Sequence, residues 1–247
     1  MNLQMLRISN LWRNVIPLST RFSHSYKSNF IQPKILEKAK YSLGLSGDLR
    51  YPTTVLRMSG EKLFIVCAEY PVFEDFVQHL KLPDTFQTWF SLTVLHIWMC
   101  FVRLRREGEE GYLMKKWMDK ALWADMPRRM RAFKILLKSS SQIKVFRTQY
   151  YGSMFAYDEA LLSYSDSHFA AALWSNMWFS SPTATFQEIE LLIKYVRKQL
   201  EHLDKTSSTV IFRSGAPAFL PLMKDEIDIP FAQNRIKYCL TFPEHLK

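Results

Sequence analysis

The stretch LPDTFQTWFSLTVLHIWMCFVRLRR, residues 82–106, decides how the rest of the chain is read. It opens on a helix-start signal. Asp84 can accept hydrogen bonds from the free amides of a first turn, Gln87 stands three residues on, and Pro83 keeps Leu82 out of helical angles. Phe86, Trp89, Phe90, Thr93, Ile97, Cys100, Phe101 and Leu104 recur at spacings of three and four and mark one helical face. Leu92, Leu95, Trp98, Met99 and Val102 make most of the opposite face apolar as well, and a helix apolar nearly all round is enclosed by protein or by lipid. The run over 86–102 has 17 residues, the short edge of the roughly 17–25 that span a bilayer. It also carries Gln87, Ser91, Thr93 and His96, each costly at mid-bilayer depth. The stretch therefore predicts a buried central helix. Arg103, Arg105 and Arg106 follow at once, where the helix dipole favours cations and the last turn emerges into solvent.

Upstream, Val72, Phe73, Phe76, Val77 and Leu80 predict a helix leading into the central one. Residues 48–63 show turn-like pieces and no sustained period, so residues 37–68 read as a linker or arm, with a short candidate helix over 32–43. Residues 1–36 contain no acidic residue and carry Arg7, Arg13, Arg21, Lys27 and Lys34 among Ser, Thr and Asn. That composition is expected of a mitochondrial presequence, or otherwise of a disordered basic leader. The whole chain bears 33 basic and 23 acidic residues; without those five cations the net charge falls from +10 to +5.

Downstream, Gly108 and Gly111 punctuate the chain. Residues 112–124 predict a helix, and Met126-Pro127 starts another, with Met130, Phe133, Leu136 and Leu137 as its apolar stripe. Ser139-Ser140-Ser141 reads as a weak break before a long helix over 143–162, with Phe146, Tyr150, Met154, Tyr157 and Leu161 inward. Asp166 is placed to cap a helix through Phe179, and Thr185-Phe-Gln-Glu188 is a capping box. The helix it opens carries Ile189, Leu192, Ile193, Val196, Leu200 and Leu203 on one face, with Glu190–Lys194 and Glu201–Lys205 spaced for ion pairs. Residues 206–247, with Pro217, Pro221, Pro230 and Pro243, lose all period and predict an irregular tail. The fold class expected is all-α, a single compact multi-helix domain over 69–205 built on the buried central helix. Only 7 glycines against 18 Phe and 7 Trp agree with long, well-packed helices.

Reactive groups are sparse. No phosphate-binding glycine loop, GxSxG or HExxH occurs, and Cys67, Cys100 and Cys239 form no CxxC pair. Six scattered histidines include none at an i, i+4 spacing to another. His96, inside the apolar helix, is the one candidate ligand for a metal or haem, weighed against a core histidine whose nitrogens are satisfied by neighbours. Asp158-Glu159 is an adjacent acidic pair whose side chains point about 100° apart, which suits partner contact or solvation better than shared chemistry. Between Lys115 and Arg147, ten Lys or Arg stand against Asp119 and Asp125. Such a face can hold nucleic-acid phosphates or an anionic lipid surface, or simply be solvated.

Three motifs together resemble one family. LPDTFQTWFSLTVLHIWMCFVRLR at 82–105, MFAYDEALLSYSDSHFAAALWSNMWF at 154–179 and EIELLIKYVRKQLEHLD at 188–204 are similar, in that order, to the ubiquinol–cytochrome c chaperone family. The similarity runs from about Tyr70 to Asp204; the region after Ser208 departs most and receives no role. The resemblance implies an all-helical assembly chaperone for respiratory complex III that is no enzyme and needs no cofactor. It also implies a heterodimer with a small partner assembly factor, contact with nascent cytochrome b, and a place on the matrix side of the mitochondrial inner membrane, peripheral and near the mitochondrial ribosome. The candidate contact residues are Arg103, Arg105, Arg106, Arg128, Arg129, Arg131, Lys134, Lys138, Asp158 and Glu159. A haem- or lipid-handling protein with a pocket around His96 is the competing reading.

Overall fold

The computed structural model describes residues 49–135 and 139–241; the leader, the candidate helix over 32–43 and Lys138 lie outside them. The described chain forms α1 (Thr53–Glu69), α2 (Phe73–His79), α3 (Phe86–Leu104), a 3-10 turn (Arg105–Glu107), α4 (Gly108–Ala132) and α5 (Ser139–Leu162). α6 (Asp166–Met177), α7 (Phe186–Lys205), a π-helical turn (Val210–Ser214) and α8 (Ile229–Thr241) complete it, and no strand occurs among the described residues.

α3 is the central element. It is touched by α1, α4, α5, α6 and α7, and every residue from Thr88 to Cys100 is buried. Its start falls one residue later than Asp84. Thr85 is the cap, its hydroxyl accepting from the Thr88 amide at 3.2 Å, while the Thr88 hydroxyl donates to the Pro83 carbonyl at 2.5 Å. Protein surrounds the helix on all sides, and among the described residues no helix is long and apolar enough to cross a membrane.

Four helices differ from expectation: α1, α4, α8 in the tail, and α5, which begins at Ser139 within the predicted serine break. α1 occupies the second half of the predicted linker, unforeseen because its centre, Ser59-Gly60-Glu61, is buried and spoils any outward polar stripe. Gly60 brings α1 onto α4: a Cβ there would stand 2.9 Å from the Met114 carbonyl oxygen and 3.0 Å from Trp117 Cβ. α4 runs unbroken from Gly108 through Pro127 to Ala132. Its Gly111 packs against the end of α3, where a Cβ would fall 2.0 Å from the Leu104 carbonyl oxygen. The predicted capping box stands. The Glu188 carboxylate accepts from the Thr185 amide at 2.8 Å, and both expected ion pairs of α7 form.

The tail is irregular over residues 215–228, as its prolines dictate, yet it is pinned and then ends in α8. The Ser59 hydroxyl donates to the Phe212 carbonyl at 2.7 Å. Buried Gln199 grips Leu220 twice, amide to carbonyl at 2.6 Å and Leu220 amide to Gln199 Oε1 at 3.1 Å. Arg235 of α8 donates to the carbonyls of Glu69 at 2.8 Å and Tyr70 at 3.1 Å, covering the free end of α1.

Candidate functional site

Burial sorts the residues nominated by sequence. Arg103 is in the interior, not at a solvent-facing helix end. Its Nε donates to the Leu203 carbonyl at 2.9 Å and its Nη2 to the Thr206 carbonyl and Ser208 hydroxyl at 3.1 Å each. Arg103 therefore caps the C-terminal end of α7, where free carbonyls carry the negative end of the dipole. It also pairs with Glu107, which Arg50 and Ser208 reach at 2.9 and 2.6 Å. Burial pushes the Glu107 carboxyl up, but Ser208, Arg103 and Arg50 more than offset it and hold it down at about 2.

Arg105 pairs with Asp158, whose Oδ1 also accepts from Trp98 Nε1 at 2.7 Å. Arg106 pairs with Asp204. The arginine run thus joins α3 to α5 and α7, and Asp158 belongs to that joint, while its neighbour Glu159 is exposed.

Arg129 is likewise buried, against Asp125 and Glu69, with its guanidinium carbon 4.5 Å from the Trp89 ring centroid. Burial works against its charge, and the two carboxylates outweigh that, so the guanidinium is held more firmly protonated than an ordinary arginine. Arg128 is half-buried; Arg131 and Lys134 are exposed. The outward face of α4 keeps Lys116, Lys120 and Arg131 in a row. Lys120 lies 4.3 Å above Trp117, and Arg147 of α5 lies 4.2 Å above Trp123. The exposed basic face is narrower than the charge count predicts, because Arg129 turns inward and Lys115 and Arg128 are half-buried.

His96 is fully buried. Its Nδ1 donates to the Leu92 carbonyl at 2.8 Å, and its Nε2 accepts from the Tyr195 hydroxyl at 2.7 Å. Phe76 and Phe219 enclose the ring edge-on at 5.9 and 5.0 Å. Burial lowers its pKa to about 4, with the Leu92 bond acting weakly the other way, so the imidazole is neutral. Neither nitrogen is left for a haem iron. Cys67 and Cys100 are buried free thiols with their sulfurs 3.6 Å apart, and burial pushes the Cys67 thiol well up. Among the described residues no group of three His, Cys, Asp or Glu is placed to hold a metal.

The sequence did not reveal the other face of α5. Phe146, Tyr150 and Tyr157 pack inward as expected. Opposite them, Tyr151, Phe155 and Leu162 share the outward face, with Phe155 70% and Leu162 69% exposed, and exposed Val145 lies about a quarter-turn round the helix from them. Gly152 adds a notch with no atom within 4 Å of where a Cβ would be. From Tyr151 to Leu162 the row is about 17 Å long at the helical rise, and Tyr164, 94% exposed, follows it. Contiguous exposed apolar surface marks an interaction site. The signal was present in the spacing of 151, 155 and 162, but a second apolar face on a helix reads as deeper burial when no neighbour is known.

An all-helical scaffold with its polar interior paired and an apolar row left outside is the architecture of a protein that displays surfaces to partners. The chain belongs to the ubiquinol-cytochrome C chaperone family, whose model matches residues 78–219. It is 32% identical over 194 residues to the ubiquinol-cytochrome c reductase complex assembly factor 1 of Mus musculus, covering 77% of this chain and 63% of that protein. It is 31% identical over 182 residues to the mitochondrial protein CBP3 of Saccharomyces cerevisiae, covering 66% of this chain and 52% of that one. The chain thus spans less than two thirds of either relative. The fold matches the crystal structure of the Cbp3 homolog from Brucella abortus, with a TM-score of 0.56 at 19% identity over 71% of this chain and 93% of that one.

Proposed function

We propose that this chain is a mitochondrial assembly chaperone for respiratory complex III that works by binding and not by chemistry. It holds newly made cytochrome b together with a small partner assembly factor. It does so as a peripheral protein on the matrix side of the inner membrane, near the mitochondrial ribosome. Family membership and the names of the mouse and yeast relatives support the assembly role. The observation that carries a binding role is the exposed apolar row of α5, in which Tyr151, Phe155 and Leu162 stand at i, i+4 and i+11 and so offer a partner helix one face. The basic row of α4, Lys116, Lys120 and Arg131, supplies a salt-sensitive contact for an anionic surface.

Affinity purification of the tagged chain after labelling mitochondrial translation tests this. Labelled cytochrome b and one small unlabelled protein are expected to co-purify, and Phe155→Glu with Leu162→Glu to release at least one of them. Equal recovery of all labelled products, or full retention by the double variant, overturns the reading.

A further inference from the structure

One flank of α7 forms a wall of a cleft of about 370 Å³, within the size range of small-ligand sites. Leu191, Lys194 and Lys198 follow at three- and four-residue steps along that wall, with Arg197 beside them. The facing wall is the tail segment that carries Leu222, Met223 and Asp225. Tyr195 lies at the bottom, fixed by its hydroxyl on His96 and its ring edge-on to Phe76 at 5.1 Å.

The walls are held apart in advance of any occupant. Gln199 binds both backbone groups of Leu220, His202 bonds the Ala218 carbonyl at 3.0 Å, and Lys198 donates to the Lys224 carbonyl at 3.2 Å. A preorganised site loses little freedom on binding. Met223 is 55% exposed at the mouth although Leu222 beside it is buried. An apolar residue is thus left wet where an occupant's chain would cover it.

Charge defines the other half of the site. Three cations line the cleft against the single carboxylate of Asp225. Lys194 pairs with Glu190, Arg197 with Asp166 and Lys198 with Asp225 at 2.7 Å. These carboxylates are exposed, so the pairs contribute little and exchange readily for a ligand anion. One guanidinium fork and two ammonium groups suit a phosphate or carboxylate. The amides of α7 are spent within the helix and Leu220 is bonded on both sides, so those two segments offer an occupant side chains and not backbone.

We propose that this cleft binds an amphipathic anion: a phosphate or carboxylate head at Lys194, Arg197 and Lys198, and a single alkyl chain along Leu191, Leu222 and Met223. The proposal does not depend on the assembly role.

The test is calorimetric titration of the full chain, in detergent-free buffer, with dodecyl phosphate below its micellar concentration. Saturable binding is expected, weakened at least about tenfold by Arg197→Glu with Lys198→Glu, the loss of charged hydrogen bonds. Met223→Ser is expected to weaken it severalfold, with every variant still folded by far-ultraviolet circular dichroism. Inorganic phosphate, dodecyl maltoside and hexaglutamate are expected to bind at least about tenfold more weakly, because each lacks the head or the chain. Flotation with phosphatidic-acid vesicles identifies the source. Flotation lost in the charge-reversal variant assigns the site to a membrane lipid, and its absence beside intact dodecyl phosphate binding assigns it to a free amphiphile. Unchanged dodecyl phosphate affinity in the folded charge-reversal variant, or equal binding of any one control, overturns the proposal.

Discussion

Arg129→Met separates a structural arginine from a partner-binding one. The side chain is 2% exposed and its Asp125 partner 1%, so deleting the guanidinium strands a carboxylate that cannot reach water. Removing one member of a buried pair costs about 3–5 kcal/mol, most of it from the orphaned charge. Loss of the stacking on Trp89 adds roughly 0.5–2 kcal/mol. Against a typical stability of about 5–15 kcal/mol, the variant is expected to lose about a quarter or more. A second change, Asp125→Leu, removes the orphan and is expected to restore at least about 2 kcal/mol, because an apolar replacement of a whole buried pair is often neutral. Glu69 stays at the edge of the cluster, 14% exposed, where water can solvate it. Urea unfolding followed by far-ultraviolet circular dichroism reads both steps as midpoint shifts at constant slope. A single variant within about 1 kcal/mol of the parent that nonetheless loses its protein partners would refute the structural assignment and return Arg129 to the interface.

Further outcomes follow from the same geometry. Because the unfolded His96 takes a proton near its ordinary 6.5 and the folded one only near 4, stability is expected to fall as pH drops through that window. The loss reaches roughly 3 kcal/mol by the lower end, and urea midpoints between pH 7 and 4.5 should lose most of that slope in His96→Gln. Gly60→Val is expected to cost about 1–3 kcal/mol by forcing α1 off α4, read as a lower melting temperature. Reversing Lys116, Lys120 and Arg131 to Glu should leave melting unchanged while weakening salt-sensitive sedimentation with mitochondrial ribosomes; unchanged sedimentation would exclude that face from the contact.

What sequence made legible was local periodicity. The central helix, the α7 capping box and its ion pairs each declare themselves within a few residues, because caps and i, i+4 pairs are short-range devices. α1 escaped because buried Ser59 and Gly60 serve long-range contacts, to Phe212 and Met114, that look like helix breakers in one dimension. The pinning of the tail escaped for the same reason: Gln199 and Arg235 reach backbone groups 21 and 166 residues away. Charge counting nominated Arg103 and Arg129 for a surface, whereas distant carbonyls and carboxylates draw both inside. The outward row of α5 was written in the spacing, but only the neighbours around the helix show that nothing covers it.

The most direct measurement is the level of each respiratory complex, by native electrophoresis, in cells lacking this chain and complemented with the parent or with Phe155→Glu, Leu162→Glu. Complex III and cytochrome b are expected to fall first and alone, with rescue by the parent and none by the variant despite its normal abundance. A parallel decline of every mitochondrially translated subunit, or full rescue by the variant, would contradict a chaperone acting through that exposed row.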